Sequence, residues 1–329
     1  MFEATASMTD LLRKTGSQDP DVALAASREF TQAIELPLRK GVMSGDNTGD
    51  IFAREVLQPG ATTEYPIDPL APGTEKDFSA YAIPKHGRIP ERMMDGDYVM
   101  VPTYTIANSV DWLLRYARDA RWPVVNRFME IFEAGFVKKI NDDKWHLLLG
   151  AGVDRNIVVY DADANAGQFT KRLVSLMKTV MQRNGGGNST SMNRFKLTDL
   201  YVSPEAMEDI RNWGVDIVDD FTRREIFTAP DGSFNRIFGV NLHSLEEFGE
   251  GQEYQLFFTN ELAGSLASGD LELVLGLDRT HNSFVMPVRE ELKTFDDPTL
   301  HRQQRAGVYG WQEYGLASLE GRALVLGSF

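Results

Sequence analysis

The stretch from Asp50 to Gly150 constrains this chain most, because its two halves demand opposite kinds of structure. From Asp50 to Thr105 the sequence is polar and β-leaning, and it is broken by Pro59, Pro66, Pro69, Pro72, Pro84, Pro90 and Pro102. No apolar face repeats there for long enough to build a core. Beyond Pro123 there is no proline up to Leu149, and Phe128, Phe132, Phe136 and Ile140 recur at i+4 steps. Val124, Met129, Val137, Leu147 and Leu148 widen that stripe, which is the pattern of an amphipathic helix. The spacing predicts a helix of roughly 27 residues, about 40 Å long, stopped by Gly150 and Gly152. An isolated two-stranded excursion is only marginally stable in water, so the first half is expected to gain its order on another subunit. The pattern points to assembly before catalysis.

The bulk properties narrow the classes further. With 42% hydrophobic and 25% charged residues over 329 positions, the chain is globular rather than disordered. Its net charge of −14 argues against a nucleic-acid reader, which needs a basic footprint. The absence of cysteine removes disulfides, thiol catalysis and thiolate metal sites, and it suits folding in a reducing cytoplasm. Met1 to Asp10 lacks the basic and apolar regions of a secretory signal. No run of eighteen apolar residues occurs, so no membrane-crossing helix is expected.

Along the chain, Met1 to Lys40 reads as an N-terminal arm with a helix capped by Ser17 or Asp19, opened by Pro20 and ended by Pro37. Gly41 to Asp50 reads as a flexible joint. A short helix is expected over Asn108 to Ala120, and further helices over Phe169 to Arg183 and Val215 to Phe227. Leu197 to Val202 reads as a strand running into Ser203, a natural N-cap, with Pro204 in the first turn and Glu205 at the positive end. Asp231-Gly232 suggests a hairpin turn, and Tyr254 to Thr259 and Leu271 to Leu277 suggest buried strands. The chain closes in a strand over Arg322 to Leu326.

No constellation for catalysis or metal binding stands out. Asp161, Asp163 and Asn165 match the start of a calcium loop, but Ala166 and Arg172 stand where that loop needs Gly and a bidentate Glu. Gly185 to Gly187 follows a helix rather than a strand, so it is no phosphate cradle. His86, His146, His243, His281 and His301 never fall at ligand spacing. Asp142/Asp143, Asp219/Asp220 and Asp296/Asp297 are side-by-side pairs that do not face one pocket. Arg115-Tyr116, Arg118, Arg121-Trp122 and Arg127-Phe128 read either as arginines lying over a core helix or as a partner contact. No cofactor, metal or catalytic residue is expected.

The order of parts resembles the major capsid proteins of tailed phages with the Hong Kong 97-type fold, an α+β architecture. The matching pieces are the arm (1–49), the extended loop (50–107) and a peripheral domain with the spine helix (108–168). An axial domain (169–280) carrying Ser203-Pro204-Glu205 and Phe238-Gly239-Val240 comes next. A return to the peripheral domain (281–329), with Arg305-Ala306-Gly307 and Tyr314-Gly315-Leu316-Ala317, closes the match. The resemblance implies a structural protein of the virion, assembled in the host cytoplasm, that forms hexamers and pentamers in an icosahedral shell around DNA. It implies a portal and a decoration protein as partners, and an arm of about forty residues leads us to expect a separate scaffolding protein. Relatives that weld their subunits join an extended-loop Lys to a peripheral-domain Asn. Lys76 and Lys85 are available here, but no Asn follows Asn282, so cross-linking is not expected.

An acidic wall repels packed DNA rather than binding it. The same charge opposes assembly, so local arginine–carboxylate pairs are expected between subunits, with Arg54, Arg88 and Arg92 as candidates. Phe128, Phe132, Phe136 and Ile140 are the expected core of the spine helix. Two other readings remain open: an encapsulin-type compartment of the same fold, and a cytosolic α/β enzyme suggested by the alternating elements after Phe169.

Overall fold

The computed structural model describes residues 6–17, 19–67, 97–119, 121–184, 195–214, 217–218, 220–227, 236–267 and 269–329. In chain order they form α1 (Ala6–Thr15), α2 (Pro20–Gly45), β1 (Ala53–Val56), β2 (Glu64–Ile67), β3 (Asp97–Met100) and β4 (Thr103–Leu113). Then come α3 (Leu114–Arg118), α4 (Trp122–Asp154), β5 (Val158–Tyr160), α5 (Lys171–Asn184), β6 (Asp199–Val202), α6 (Pro204–Asn212) and α7 (Asp220–Phe227). The remainder is β7 (Arg236–Ile237), β8 (Val240–Ser244), α8 (Glu253–Leu256), β9 (Leu273–Leu277), β10 (Phe284–Asp296), β11 (Arg305–Gly315), β12 (Ala317–Ser318) and β13 (Leu324–Ser328). Two compact units result. One comprises Met1–Thr63, Met100–Lys144 and Val285–Ala317, and the other Glu64–Val99, Trp145–Phe284 and Ser318–Phe329.

In the first unit, α4 supplies the apolar stripe. Val125, Met129, Phe132, Phe136 and Ile140 are buried, while Phe128 is only half-buried. Phe132 and Phe136 meet edge to face with centroids 5.2 Å apart, an arrangement aromatic quadrupoles favour. The sheet runs in the order β1-β10-β11-β4, and Gly310 of β11 lies against Phe132. A Cβ there would lie 3.2 Å from Phe132 Cζ and 2.7 Å from the Lys293 carbonyl oxygen.

Helix α2 belongs to this core rather than to a free arm. Phe30 contacts Trp112 and Trp122 edge to face, and Phe30, Ile34, Leu38 and Val42 are buried at helical spacing. Asp19 caps the helix, accepting from the Asp21 N–H at 3.1 Å. Pro37 does not end it, contrary to the sequence reading, and the expected joint over Gly41 to Gly45 is helical. A proline inside a helix costs about 3 kcal/mol, and burying Leu38 and Val42 beyond it offsets that loss. Gly45 lets α2 come close to α4, since a Cβ there would lie 2.8 Å from Val137 Cγ2.

Three further expectations in this unit are corrected. Asn108 to Leu113 is strand, because β4 pairs antiparallel with β11 from Thr103↔Gly315 to Leu113↔Arg305. Its alternation, with Ile106 and Trp112 buried and their neighbours exposed, has a period of two, not 3.6. The span 50–107 is not coreless throughout: Ile51, Phe52 and Val101 are buried, and β1 pairs parallel with β10 from Ala53↔Val285 to Val56↔Val288. Among the described strands, only the β2–β3 ribbon lies outside the two larger sheets. Helix α4 runs past Gly150 and Gly152 to Asp154.

The second unit is built on a six-stranded sheet ordered β5-β13-β9-β6-β8-β7. Every residue of β6, β9 and β13 is buried, the pattern of strands covered on both faces. Ser203 ends β6 and caps α6 as the sequence predicts, accepting from the Ala206 N–H at 3.1 Å. Leu173, Val174, Met177 and Met181 form the buried stripe of α5. Trp145 meets Tyr201, Phe248 and Tyr254, with centroids 5.0, 5.7 and 6.0 Å away. Tyr254 to Thr259 is helical, not a strand: Tyr254 and Phe258, both buried, stand four residues apart, and Phe257–Glu261 is a π-turn. The closing strand β13 pairs with β9 and β5 here. Residues 318–329 therefore do not return to the first unit.

Burial on α4 gives a direct test. Phe132→Ala is expected to cost about 3–5 kcal/mol in denaturant titrations. Ile131→Ala, at a position 52% exposed, should change stability by less than about 0.5 kcal/mol. Equal small losses at both positions would place Phe132 outside the core.

Candidate functional site

In the first unit, a cluster of charged side chains forms where α2 leads into β1. Arg39, on the last turns of α2, donates to Glu291 Oε2 at 2.6 Å, to Glu35 Oε1 at 3.1 Å and to the Leu292 carbonyl at 3.3 Å. Arg54 on β1 donates to the other oxygen of Glu291 at 2.9 Å. One carboxylate thus joins two arginines that β1 and α2 carry to the edge of β10. Asp46, just past α2, accepts from the Thr48 N–H at 3.0 Å and hydroxyl at 2.7 Å, and it pairs with Lys144 of α4. Lys144 is 1% exposed, with its ammonium 5.4 Å from the Phe52 ring centroid. Burial lowers the Lys144 pKa, and the Asp46 charge only partly opposes that shift.

In the second unit, Asp199 of β6 has the look of a catalytic partner. Its Oδ1 accepts from His243 Nε2 at 2.8 Å, Asn241 Nδ2 at 3.1 Å and Arg279 Nη1 at 3.2 Å. Desolvation pushes its pKa up, but the bonds from His243, Thr198 and Asn241 and the Arg279 charge prevail and hold it at about 2. A carboxyl held that low is a weak base. His243 is stacked on Tyr201 with centroids 4.8 Å apart. The nearby Ser203 hydroxyl is occupied by the α6 cap and by Glu272. The arrangement clamps β6, β8 and the residues after β9 and presents no nucleophile.

No protein-family model matches the sequence, and no curated protein matches it. Solved structures do match over most of their length. A structure from Microbacterium phage Oxtober96 has a TM-score of 0.59 and 9% identity, covering 87% of this chain and 90% of that one. The capsid of Cyanophage Pam1 has a TM-score of 0.55 and 13% identity, covering 85% and 88%. The capsid of an empty GTA particle has a TM-score of 0.53 and 14% identity, covering 87% and 96%. The chain has the fold of tailed-phage capsid proteins.

Within this capsid fold, the predicted residues separate. Phe132, Phe136 and Ile140 lie together in the core of the first unit. Arg54, expected to pair across subunits, has its guanidinium bound by Glu291 of its own chain, so it is withdrawn as a free charge for a neighbour. Arg88 and Arg92 lie outside the described residues, as do Lys76, Lys85 and His86. Of the other histidines, His146 stacks on Phe257 at 3.7 Å and His281 binds Asp278 at 3.1 Å. Arg172 pairs with Asp161 at 3.4 Å and with Asp163, so a cation already fills the aspartate turn. No group of three or more acidic or histidine side chains able to hold a metal occurs among the described residues, and no described helix is long and apolar enough to cross a membrane. Sequence reading missed Lys144 and Glu291, whose partners lie far away along the chain.

The Lys144 site makes a pH prediction. With its folded pKa below the unfolded one, the folded state disfavours the protonated amine. Stability should therefore rise with pH between the lowered value and the ordinary lysine value. Lys144→Met, by stranding Asp46, is expected to cost about 3–5 kcal/mol near neutrality. It should also lack the alkaline gain that the unaltered chain shows in thermal melts. An identical pH profile in both proteins would show that Lys144 is not desolvated.

Proposed function

We propose that this chain is the major capsid protein of a tailed phage, with the Hong Kong 97-type subunit architecture, and that it self-assembles as hexamers and pentamers into an icosahedral shell enclosing DNA. The observation that carries this reading is the reciprocal coverage. Eighty-five per cent or more of this chain superimposes on 88% or more of phage and GTA structures at TM-scores of 0.53 to 0.59. A catalytic domain embellished on the fold would leave a large unmatched remainder. On this reading the first unit is the peripheral domain and the second the axial domain, and the β2–β3 ribbon belongs to the extended loop. The loop arginines Arg88 and Arg92 are the charges proposed to pair with carboxylates of neighbouring subunits. A separate scaffolding protein, a portal and a decoration protein complete the head, which assembles in the host cytoplasm and becomes part of the virion.

The net charge of −14 per chain fits this role. A wall of like charge does not bind densely packed DNA, and it gives solubility to subunits awaiting assembly. It also sets a cost, because each interface gathers like charges.

Electron microscopy of the purified chain tests the reading. Closed shells, rings or tubes are expected, and a uniform small oligomer would overturn it. Across a salt series, light scattering should show assembly increasing from low to moderate ionic strength, as the screening length falls to about 8 Å. Assembly that weakens steadily from the lowest salt upward would mean that attractive pairs dominate the interfaces.

A further inference from the structure

The arginines that read in the sequence either as core cover or as a partner contact divide into two sets. Arg127 pairs with Glu130 at 2.9 Å and Arg121 with Asp119 at 3.6 Å. Arg115 and Arg118 of α3 have no such pairing. Helix α1 packs on α3 so closely that a Cβ on Gly16 would lie 2.8 Å from the Arg118 backbone nitrogen. Arg13 and Lys14, in the last turn of α1, therefore come to the same end of the first unit as Arg115 and Arg118. All four are exposed. Among the described residues, no carboxylate pairs with any of them. Arg115 donates to the Tyr116 hydroxyl at 3.1 Å with its guanidinium 5.0 Å from that ring, which orients the charge without neutralising it.

Residues 6–17 and 114–121 together carry five cations and two carboxylates, on a chain whose net charge is −14. A cation in the last turn offsets the negative end of a helix dipole, but one at each end would serve helices of ten and five residues. The surplus stands open to solvent, and its complement is anionic. The extent of the patch selects among anions. A second copy would bring its own −14 against the −14 already present. Duplex DNA carries one charge per roughly 1.7 Å of axis, so most of its charge would lie beyond the patch, against an acidic chain. A short acidic segment places charge only where the cations stand, and past a screening length of about 8 Å it feels little of the rest. Arginine forks also hold carboxylates through paired hydrogen bonds.

We propose that the α1–α3 end of the first unit is a docking site for a short acidic segment of a separate protein, whose carboxylates pair with Arg13, Lys14, Arg115 and Arg118. Docking here requires no closed shell, so it stands or falls apart from the shell reading.

The test uses the full chain and a fluorescein-labelled octaglutamate, with binding read by anisotropy across a salt series. The variant that removes the patch carries Arg13→Gln, Lys14→Gln and Arg118→Gln. A control carries Lys40→Gln and Arg183→Gln, which remove exposed cations elsewhere. The expected result is salt-sensitive binding to the unaltered chain, at least tenfold weaker in the patch variant and within twofold of the original in the control. No binding to the unaltered chain, or equal losses in variant and control, would overturn the proposal. Tighter binding of a short DNA duplex than of the peptide would assign the patch to nucleic acid and also overturn it. So would self-association that competes with the peptide and disappears in the patch variant, which would make a second copy the occupant. Circular dichroism checks folding. Should the triple variant misfold, Arg118→Gln alone decides: a loss of about threefold supports the site, and unchanged binding rejects it.

Discussion

The first unit depends on one contact surface, the buried stripe of α4 against the β10–β11–β4 face. Phe132 fills the space that Gly310 leaves open, and the long register between β4 and β11 holds that face in place. A Cβ at position 310 would meet the Lys293 carbonyl, a backbone atom that cannot step aside. The sheet and helix are therefore matched by size as well as by polarity. Helix α2 uses the same device at Gly45 and closes the layer with Phe30 between two tryptophans. Because α2 is seated this way, Arg39 is carried to Glu291 and the charged cluster can form.

What was legible in the sequence was local. The stripe on α4 shows itself in i+4 spacing, and Ser203-Pro204-Glu205 announces a helix start, because both patterns are satisfied within a few residues. What was hidden depends on partners far along the chain. Residues 108–113 carry a mixed composition that passes for helix until β11, some two hundred residues later, supplies the ladder. Pro37 is a sound helix-stop signal in isolation, and it is overridden only because Leu38 and Val42 have a core to enter. Tyr254 and Phe258 read as strand by their apolar content, whereas their four-residue spacing was the truer sign.

The charged cluster shows the same division. Arg54 could be singled out as a cation in an extended segment, but nothing near it in the sequence says that Glu291, at the far end of the chain, occupies it. Lys144 looks like one more surface lysine on an amphipathic helix, yet it is among the most buried side chains present. A buried pair adds little net stability over an apolar replacement, because desolvation consumes most of its Coulomb energy. Its stronger effect is on register: an unpaired Asp46 or Lys144 is costly, so the residues joining α2 to β1 have few alternative placements.

That rigidity connects the fold to assembly. On the shell reading every copy must present the same surface, and the segment joining α2 to β1 sets where the chain enters the parallel pairing of β1 with β10. Fixing this segment with Asp46–Lys144 and Arg39–Glu291–Arg54 gathers three cations and two carboxylates, and Glu35 on Arg39 brings the cluster to neutrality. The acidic excess is left for the rest of the surface. On the shell reading, internal pairs then set geometry, the acidic exterior keeps free subunits apart, and apolar contacts, which a field of like charge does not weaken, hold the copies together.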